Sequence, residues 1–371
     1  MPRELVLLGG GHAHMVTLSR LGRFRELGFG VTVVQPSEHH YYSGMGPGML
    51  SRIYAPEEIR FRTKAIVEGQ GGRFVNDRAE RIDPGEKQVR LASGETLDYD
   101  VLSCNVGSFV DSPLTDGDGK VFSVKPIASL LQAQERALEA VRQGRTDFAI
   151  VGGGPAALEI GGNLRGLLSG EVSQDRYRIR IFAGRSFLKR LPEAVRSRAR
   201  RRLGRLGIEV IEAGYVQELS GGSLRMADGS EYPADMVLLA TGVKPSRLFV
   251  DSGLSVGPDG GLAVNRFLQH VEHSDIFGGG DCIHFQEQPL DKVGVYAVRQ
   301  NPVLADNLLA SLQNRELAPF DPSGGYMLIY NLGDGSGILH KGRLTMNGRP
   351  AFWVKDRIDR KFMRRFQALE P

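Results

Sequence analysis

Phe148-Ala149-Ile150-Val151-Gly152-Gly153-Gly154-Pro155-Ala156-Ala157-Leu158-Glu159 is an apolar run that breaks into three glycines and continues in helical character to about Ser169. A second apolar run, Ile179–Phe182, follows. Strand, glycine turn, helix and strand within ~30 residues is the pattern of a βαβ unit. Gly152, Gly154 and Ala157 fill the Gly-x-Gly-x-x-Ala spacing in which bare backbone and a helix N-terminus close on a pyrophosphate.

The same order stands at the N-terminus. Glu4–Leu8 leads into Gly9-Gly10-Gly11-His12-Ala13-His14, then a helical stretch to about Gly28, then Val31–Val34. Here His14 occupies the third fingerprint position, where a small residue normally lets helix and strand approach. The likeness between the two segments extends further. Leu91-Ala92-Ser93-Gly94-Glu95 matches Met226-Ala227-Asp228-Gly229-Ser230 as a hairpin turn. Gly94 stands 13 residues before Gly107, and Gly229 stands 13 before Gly242. Asp100 and Asp235 each lie seven residues ahead of those second glycines, with Val101–Cys104 and Val237–Ala240 as short buried strands between. Two glycine loops, a matched hairpin and a matched strand read as an internal duplication of a nucleotide-binding domain.

Composition bounds the rest. The 371 residues are 41% hydrophobic and 24% charged, which suits soluble globular domains. Two cysteines, Cys104 and Cys282, supply neither a disulfide framework nor a Cys-x-x-Cys dithiol, and no metal site is expected. No apolar run approaches the ~18 residues of a membrane span. The start, Met1–Leu8, reads as a first strand instead of a leader, so a cytoplasmic location is expected, with attachment to the cytoplasmic face of a membrane as an option. Net charge is +4, but nine Lys/Arg against one acid fall between Arg185 and Arg205, and nine against two between Lys341 and Phe366. Such blocks fit either an anionic partner or a solvated basic face. They lack interleaved aromatics, and nucleic acid is not expected as a partner.

The acid that usually meets the ribose at the end of the second strand is absent from both units; Gln35 and Ala183 stand there. Gln35 keeps hydrogen-bonding capacity, and Glu38 is near in sequence. In the second unit Arg185 follows two residues on, which would favour a 2′-phosphate or simply begin the basic helix.

Together, Gly9–His14, Tyr42-Ser43-Gly44-Met45, Gly152–Glu159, Ala240-Thr241-Gly242, Gly280-Asp281-Cys282 and Tyr296-Ala297-Val298-Arg299-Gln300 resemble the pyridine nucleotide-disulfide oxidoreductase superfamily. Within it, the chain looks closest to the branch of type II NADH dehydrogenases and sulfide:quinone oxidoreductases. Its Gly-Gly-Gly-His-Ala-His start, Tyr-Ser-Gly-Met segment and Trp353–Phe366 look like a subgroup sometimes fused to selenide, water dikinase. The resemblance implies an α/β fold with two Rossmann-like domains. The FAD-binding domain (1–125 and 248–320) would be interrupted by the NAD(P)H-binding domain (126–247), with a small α+β region at 321–371.

For the cofactors, the resemblance implies FAD at Gly9, Gly11, His12 and Ala13, with Gln35 at the adenosine ribose. Gly280 and Asp281 would lie along the ribitol–pyrophosphate stretch, and a helix starting near Val293 would face the flavin pyrimidine edge. NAD(P)H would lie at Gly152, Gly154, Pro155 and Ala156, with Arg185 beyond and Thr241 and Gly242 at the junction. Hydride would pass from nicotinamide to flavin. Glu159 corresponds to a glutamate near both rings, suited to proton relay if burial raises its pKa, or else a helix-surface residue. Lys125 and Lys292 are cationic candidates beside the flavin, or solvent-exposed lysines. Val295-Tyr296 replaces an Ala-Gln pair at the quinone edge, where Tyr296 could stack on a quinone.

The expected activity is therefore FAD-dependent NAD(P)H oxidation with a quinone or similar acceptor. A reductase of selenium or sulfur metabolism and a flavin-bound redox sensor are the alternatives. Val354, Ile358, Phe362 and Phe366 suggest an apolar stripe on a basic C-terminal helix, meeting either an anionic membrane surface or the protein itself. The sequence leaves the oligomeric state open.

Overall fold

Both glycine loops leave the C-terminal end of a parallel strand, as a phosphate-binding turn must. In the computed structural model, which describes residues 2–111, 114 and 119–371, Glu4–Leu8 pairs with Gly30–Val34 and with Val101–Cys104 in one five-stranded sheet. Arg73–Val75 and Ile276–Gly278 form its edges. The second sheet repeats this order: Thr146–Val151 lies between Tyr177–Phe182 and Met236–Leu239, with Ile208–Ile211 and Val121–Ser123 at the edges. Each sheet carries a three-stranded antiparallel meander, residues 79–98 in the first module and 216–233 in the second.

The duplication holds at the level of single hydrogen bonds. Asp100 Oδ2 accepts the Glu4 N–H at 2.7 Å, and Asp235 Oδ2 accepts the Asp147 N–H at 2.7 Å. Gly94 and Gly229 both have positive φ and close their hairpins on Leu91 and Met226 at 3.0 Å. The two matched aspartates tie the meander's exit to the first strand, which explains why their spacing from the next glycine is the same.

Each module borrows one edge strand from across the other. Val121–Ser123 enters the second sheet ahead of the 125/126 division read from sequence, and Ile276–Gly278 returns to the first. The two crossings, Ser108–Val110 and Val243–Pro245, pair antiparallel and form the hinge between modules.

The C-terminal region is a three-stranded antiparallel sheet, residues 328–348, followed by the helix Arg349–Gln367. Its sheet presses on the helix Pro155–Ser169, where Gly162 and Gly166 leave room for the backbone of Leu332 and Gly333. The final helix lies across the first module: Phe366 meets Phe61 edge-on, Arg360 pairs with Glu58 at 2.6 Å, and Gln367 donates to the Glu57 and Arg60 carbonyls.

The expected stripe on this helix does not form one face. The buried positions are Ala351, Lys355, Asp359, Met363 and Phe366, while Val354 and Phe362 are half-buried and Ile358 and Trp353 are 46% and 62% exposed. The buried row also repeats every four residues but stands one residue on, about 100° round the helix from Val354, Ile358 and Phe362, and the expected stripe joins it only at Phe366. Among the described residues no helix is long and apolar enough to cross a membrane.

Candidate functional site

In the first loop Gly9 has φ +86°, and a Cβ there would come within 2.4 Å of the Asn105 carbonyl oxygen. Gly152 repeats the contact against Ala240, at 2.1 Å. Only glycine allows either approach. Gly154 differs: a Cβ there would meet nothing within 4 Å, so the head of the helix beginning at Pro155 opens onto space.

His14, the departure from the fingerprint, is fully buried. Its Nδ1 lies 2.6 Å from the Gly9 carbonyl and its Nε2 2.8 Å from Ser103 Oγ. Burial, opposed by the Gly9 bond, brings its pKa down to about 4, so it is a neutral brace within the loop. Gln35 also braces: its Oε1 accepts the Gly10 N–H at 2.9 Å and its Nε2 donates to the Ser37 and His39 carbonyls. Both protons of that amide are thus committed to protein. Glu38 is exposed and paired with Lys64 at 2.8 Å.

At the hinge, Lys125 Nζ lies 2.6 Å from Asp281 Oδ2 and donates to Ser108 Oγ at 2.9 Å. Burial pushes the Asp281 carboxyl up, but Lys125 and the Ser108 hydroxyl outweigh it and hold it below its ordinary value. Lys292 is engaged elsewhere, with Asp259 at 2.8 Å and the Ile283 carbonyl. Val293 caps the helix Gly294–Leu312, whose first turn lies beside Ser43 and presents Tyr296, edge-on to Tyr326 at 5.4 Å. Asn301 of this helix donates to the His12 carbonyl and accepts the Val16 N–H, both at 2.7 Å. Gln300 accepts the Gly280 N–H at 2.7 Å.

Glu159, half-buried on the second turn of its helix, accepts the Asn331 N–H at 2.8 Å. Burial raises its carboxyl to about 7 against the pull of Lys355 and that N–H. Lys355 comes from the C-terminal helix. It bonds the Gly44 carbonyl and Asp359, both at 2.7 Å, and Asp359 accepts from the Tyr42 hydroxyl at 3.1 Å. Burial opposes the Lys355 charge, but Asp359 and Glu159 overcome it and keep the ammonium protonated.

Sequence reading missed Asn105, Asn301, Lys355 and Asp359. Asn105 joins the first loop to the second flavin motif by accepting from Ala13 at 3.2 Å and donating to Gly279 at 2.7 Å. Its alignment with Ala240 in the repeat was the available signal. Lys355 and Asp359, one helical turn apart, had only their charge pattern to mark them.

Both cysteines are buried, and burial raises the Cys282 thiol to about 11 and the Cys104 thiol well above its ordinary value. Neither is a poised nucleophile.

Two residues expected at the cofactors carry buried polar atoms that no protein group answers, His12 Nε2 and Thr241 Oγ1. With the bare backbone of both loops, these residues fit a dinucleotide in each module. The profile of the pyridine nucleotide-disulphide oxidoreductase family matches residues 3–307. The chain belongs to this family. As a member it is an FAD-dependent NAD(P)H oxidoreductase.

Ferroptosis suppressor protein 1 of Taeniopygia guttata is 26% identical over 349 residues, spanning 90% of this chain and 87% of that one. The internal alternative NAD(P)H-ubiquinone oxidoreductase A1 of Arabidopsis thaliana is 27% identical over 144 residues, 37% of this chain and 28% of that protein. NDH2 from Plasmodium falciparum, solved in complex with NADH, superposes with a TM-score of 0.82 at 14% identity, covering 98% of this chain and 97% of that one.

Proposed function

We propose that this protein passes the two electrons it takes from NAD(P)H to a quinone or a similar two-electron acceptor. The observation that carries the reading is Glu159, a carboxyl that burial holds near neutrality at the junction of the second glycine loop, the C-terminal sheet and Lys355. An acceptor of this class needs protons as well as electrons, and a carboxyl half-protonated near pH 7 is suited to deliver them. The kinship with an NAD(P)H-ubiquinone oxidoreductase supports the same acceptor class, and two buried, unreactive thiols offer no sulfur relay.

Bound FAD supplies the hydride acceptor and two-electron carrier. The loop at Gly9, Gly11, His12 and Ala13 would hold its pyrophosphate, and the Lys125–Asp281–Ser108 cluster would hold its ribityl side. Gly154, Pro155 and Ala156 would hold the nicotinamide dinucleotide, with Thr241 and Gly242 at the junction and Arg185 toward a 2′-phosphate. Arg185 is exposed, lies 6.0 Å from the Tyr215 ring, and has no carboxylate partner among the described residues.

A membrane-dissolved acceptor would be met at the exposed side of the C-terminal helix. Trp353 stands there under Arg357, at 5.8 Å, with Ile358 and Lys361 nearby on the same helix. An apolar ring flanked by cations suits an anionic bilayer surface.

The test is reoxidation of the NAD(P)H-reduced protein by a panel of quinones, selenium compounds and sulfur compounds. Fast multiple turnover with quinones is expected. Turnover confined to selenium or sulfur compounds, or none with any acceptor, would contradict the reading.

A further inference from the structure

His12 is 9% exposed, and its Nε2 has no hydrogen-bond partner. Its other ring nitrogen, Nδ1, lies 3.3 Å from His40 Nε2, with the two rings nearly perpendicular at 79°. Tyr42 and Phe362 flank the same imidazole, with centroids at 5.1 and 6.3 Å. The main chain is pinned as well, because Asn301 holds the His12 carbonyl. The ring therefore has little freedom to turn its unanswered nitrogen toward another group.

Burial keeps both imidazoles neutral at pH 7, His12 down to about 4 and His40 well below its ordinary value. Two neutral imidazoles in contact share a single N–H between them. With that proton on His40 Nε2, His12 must carry its own proton on Nε2 and points a donor outward. The reverse arrangement points a bare lone pair outward. A diphosphate and a polyhydroxylated chain offer acceptor oxygens, which favours the first arrangement, with the donor pointing outward.

We infer that His12 Nε2 donates a hydrogen bond to an oxygen of the bound flavin dinucleotide, and that His40, by donating to His12 Nδ1, is the positioning residue that fixes this tautomer. The inference rests on the first module being the FAD site. It adds a side-chain contact to a loop that otherwise grips through backbone, and it assigns a role to a histidine from the short strand His40–Tyr41.

The test uses FAD-loaded protein carrying 15N-labelled histidine, together with FAD dissociation constants of five variants. In the loaded protein His12 should be protonated at Nε2 and bare at Nδ1. His12→Phe keeps a ring but loses the donor and should weaken FAD binding roughly tenfold. His40→Phe should weaken it to a similar extent, and the double variant no further, because the two act through one bond. His12→Gln and His40→Gln each place an amide N–H near the lost Nε2 and should stay within about threefold of the parent. A purely packing role would favour phenylalanine over glutamine and give the opposite ranking. Proton placement on His12 Nδ1 in the loaded protein, or unchanged FAD affinity in His40→Phe, would overturn the inference. Failure of the unaltered protein to take up FAD would overturn the flavin site itself, and the inference with it.

Discussion

In the proposed reaction, proton supply turns on the Glu159 carboxyl. Its proton is retained in the fold up to about pH 7, whereas the unfolded chain releases it near 4.5. The native state therefore binds the extra proton in that window, and its contribution to stability is full below about 4.5 and lost as pH rises through about 7. Glu159→Gln should flatten this part of the stability–pH curve, measured by denaturant melts. It should also remove an inflection near pH 7 from the rate of acceptor reduction, with a loss of about 10²-fold or more. An inflection that survives in the variant would move the proton donor elsewhere. Arg185→Ala should lower kcat/KM for NADPH by about tenfold and for NADH by less than about threefold, since only the former carries a 2′-phosphate. Equal losses would discard that role. At this scale the sequence was partly legible. Glu159 was singled out through the family resemblance, but Gln35 could not be seen to brace its own loop. Nor could His14 be seen to substitute for a small residue by bonding Gly9 and Ser103.

Among the elements, the strand–loop–helix units were readable because their chemistry is local. A glycine whose added Cβ would come within 2.4 Å of a carbonyl oxygen leaves the same signature wherever it stands. The C-terminal helix was legible as a helix, but which of its positions dock was not, because its burial is set by a partner surface some 300 residues distant in sequence. That surface, built by Tyr42, Glu58 and Phe61, accepts Asp359, Arg360 and Phe366 and leaves Trp353 and Ile358 outside. Its apolar stripe therefore divides between docking and exposure. Trp353→Ser combined with Ile358→Ser should leave the fold intact, as both side chains are largely outside the core. The pair should lower co-sedimentation with anionic vesicles by about threefold or more. Unchanged sedimentation would confine this helix to internal packing.

The whole molecule is two copies of one design, hinged by a pair of antiparallel crossing strands and clamped by the C-terminal region. The duplication was visible in equal spacings, and its physical cause is the pair of aspartates that make the same 2.7 Å bond in each copy. Lys355 was out of reach of such reasoning, because nothing near it in sequence predicts that it crosses to Gly44 and influences Glu159. The architecture accounts for a transfer between two bound dinucleotides only if both modules are loaded and face one another across the hinge. The most direct measurement is anaerobic titration of the FAD-loaded protein with NADH and with NADPH. Stoichiometric bleaching of the flavin band at about 450 nm is the result expected for at least one of them. A flavin that stays oxidised with both would contradict the account.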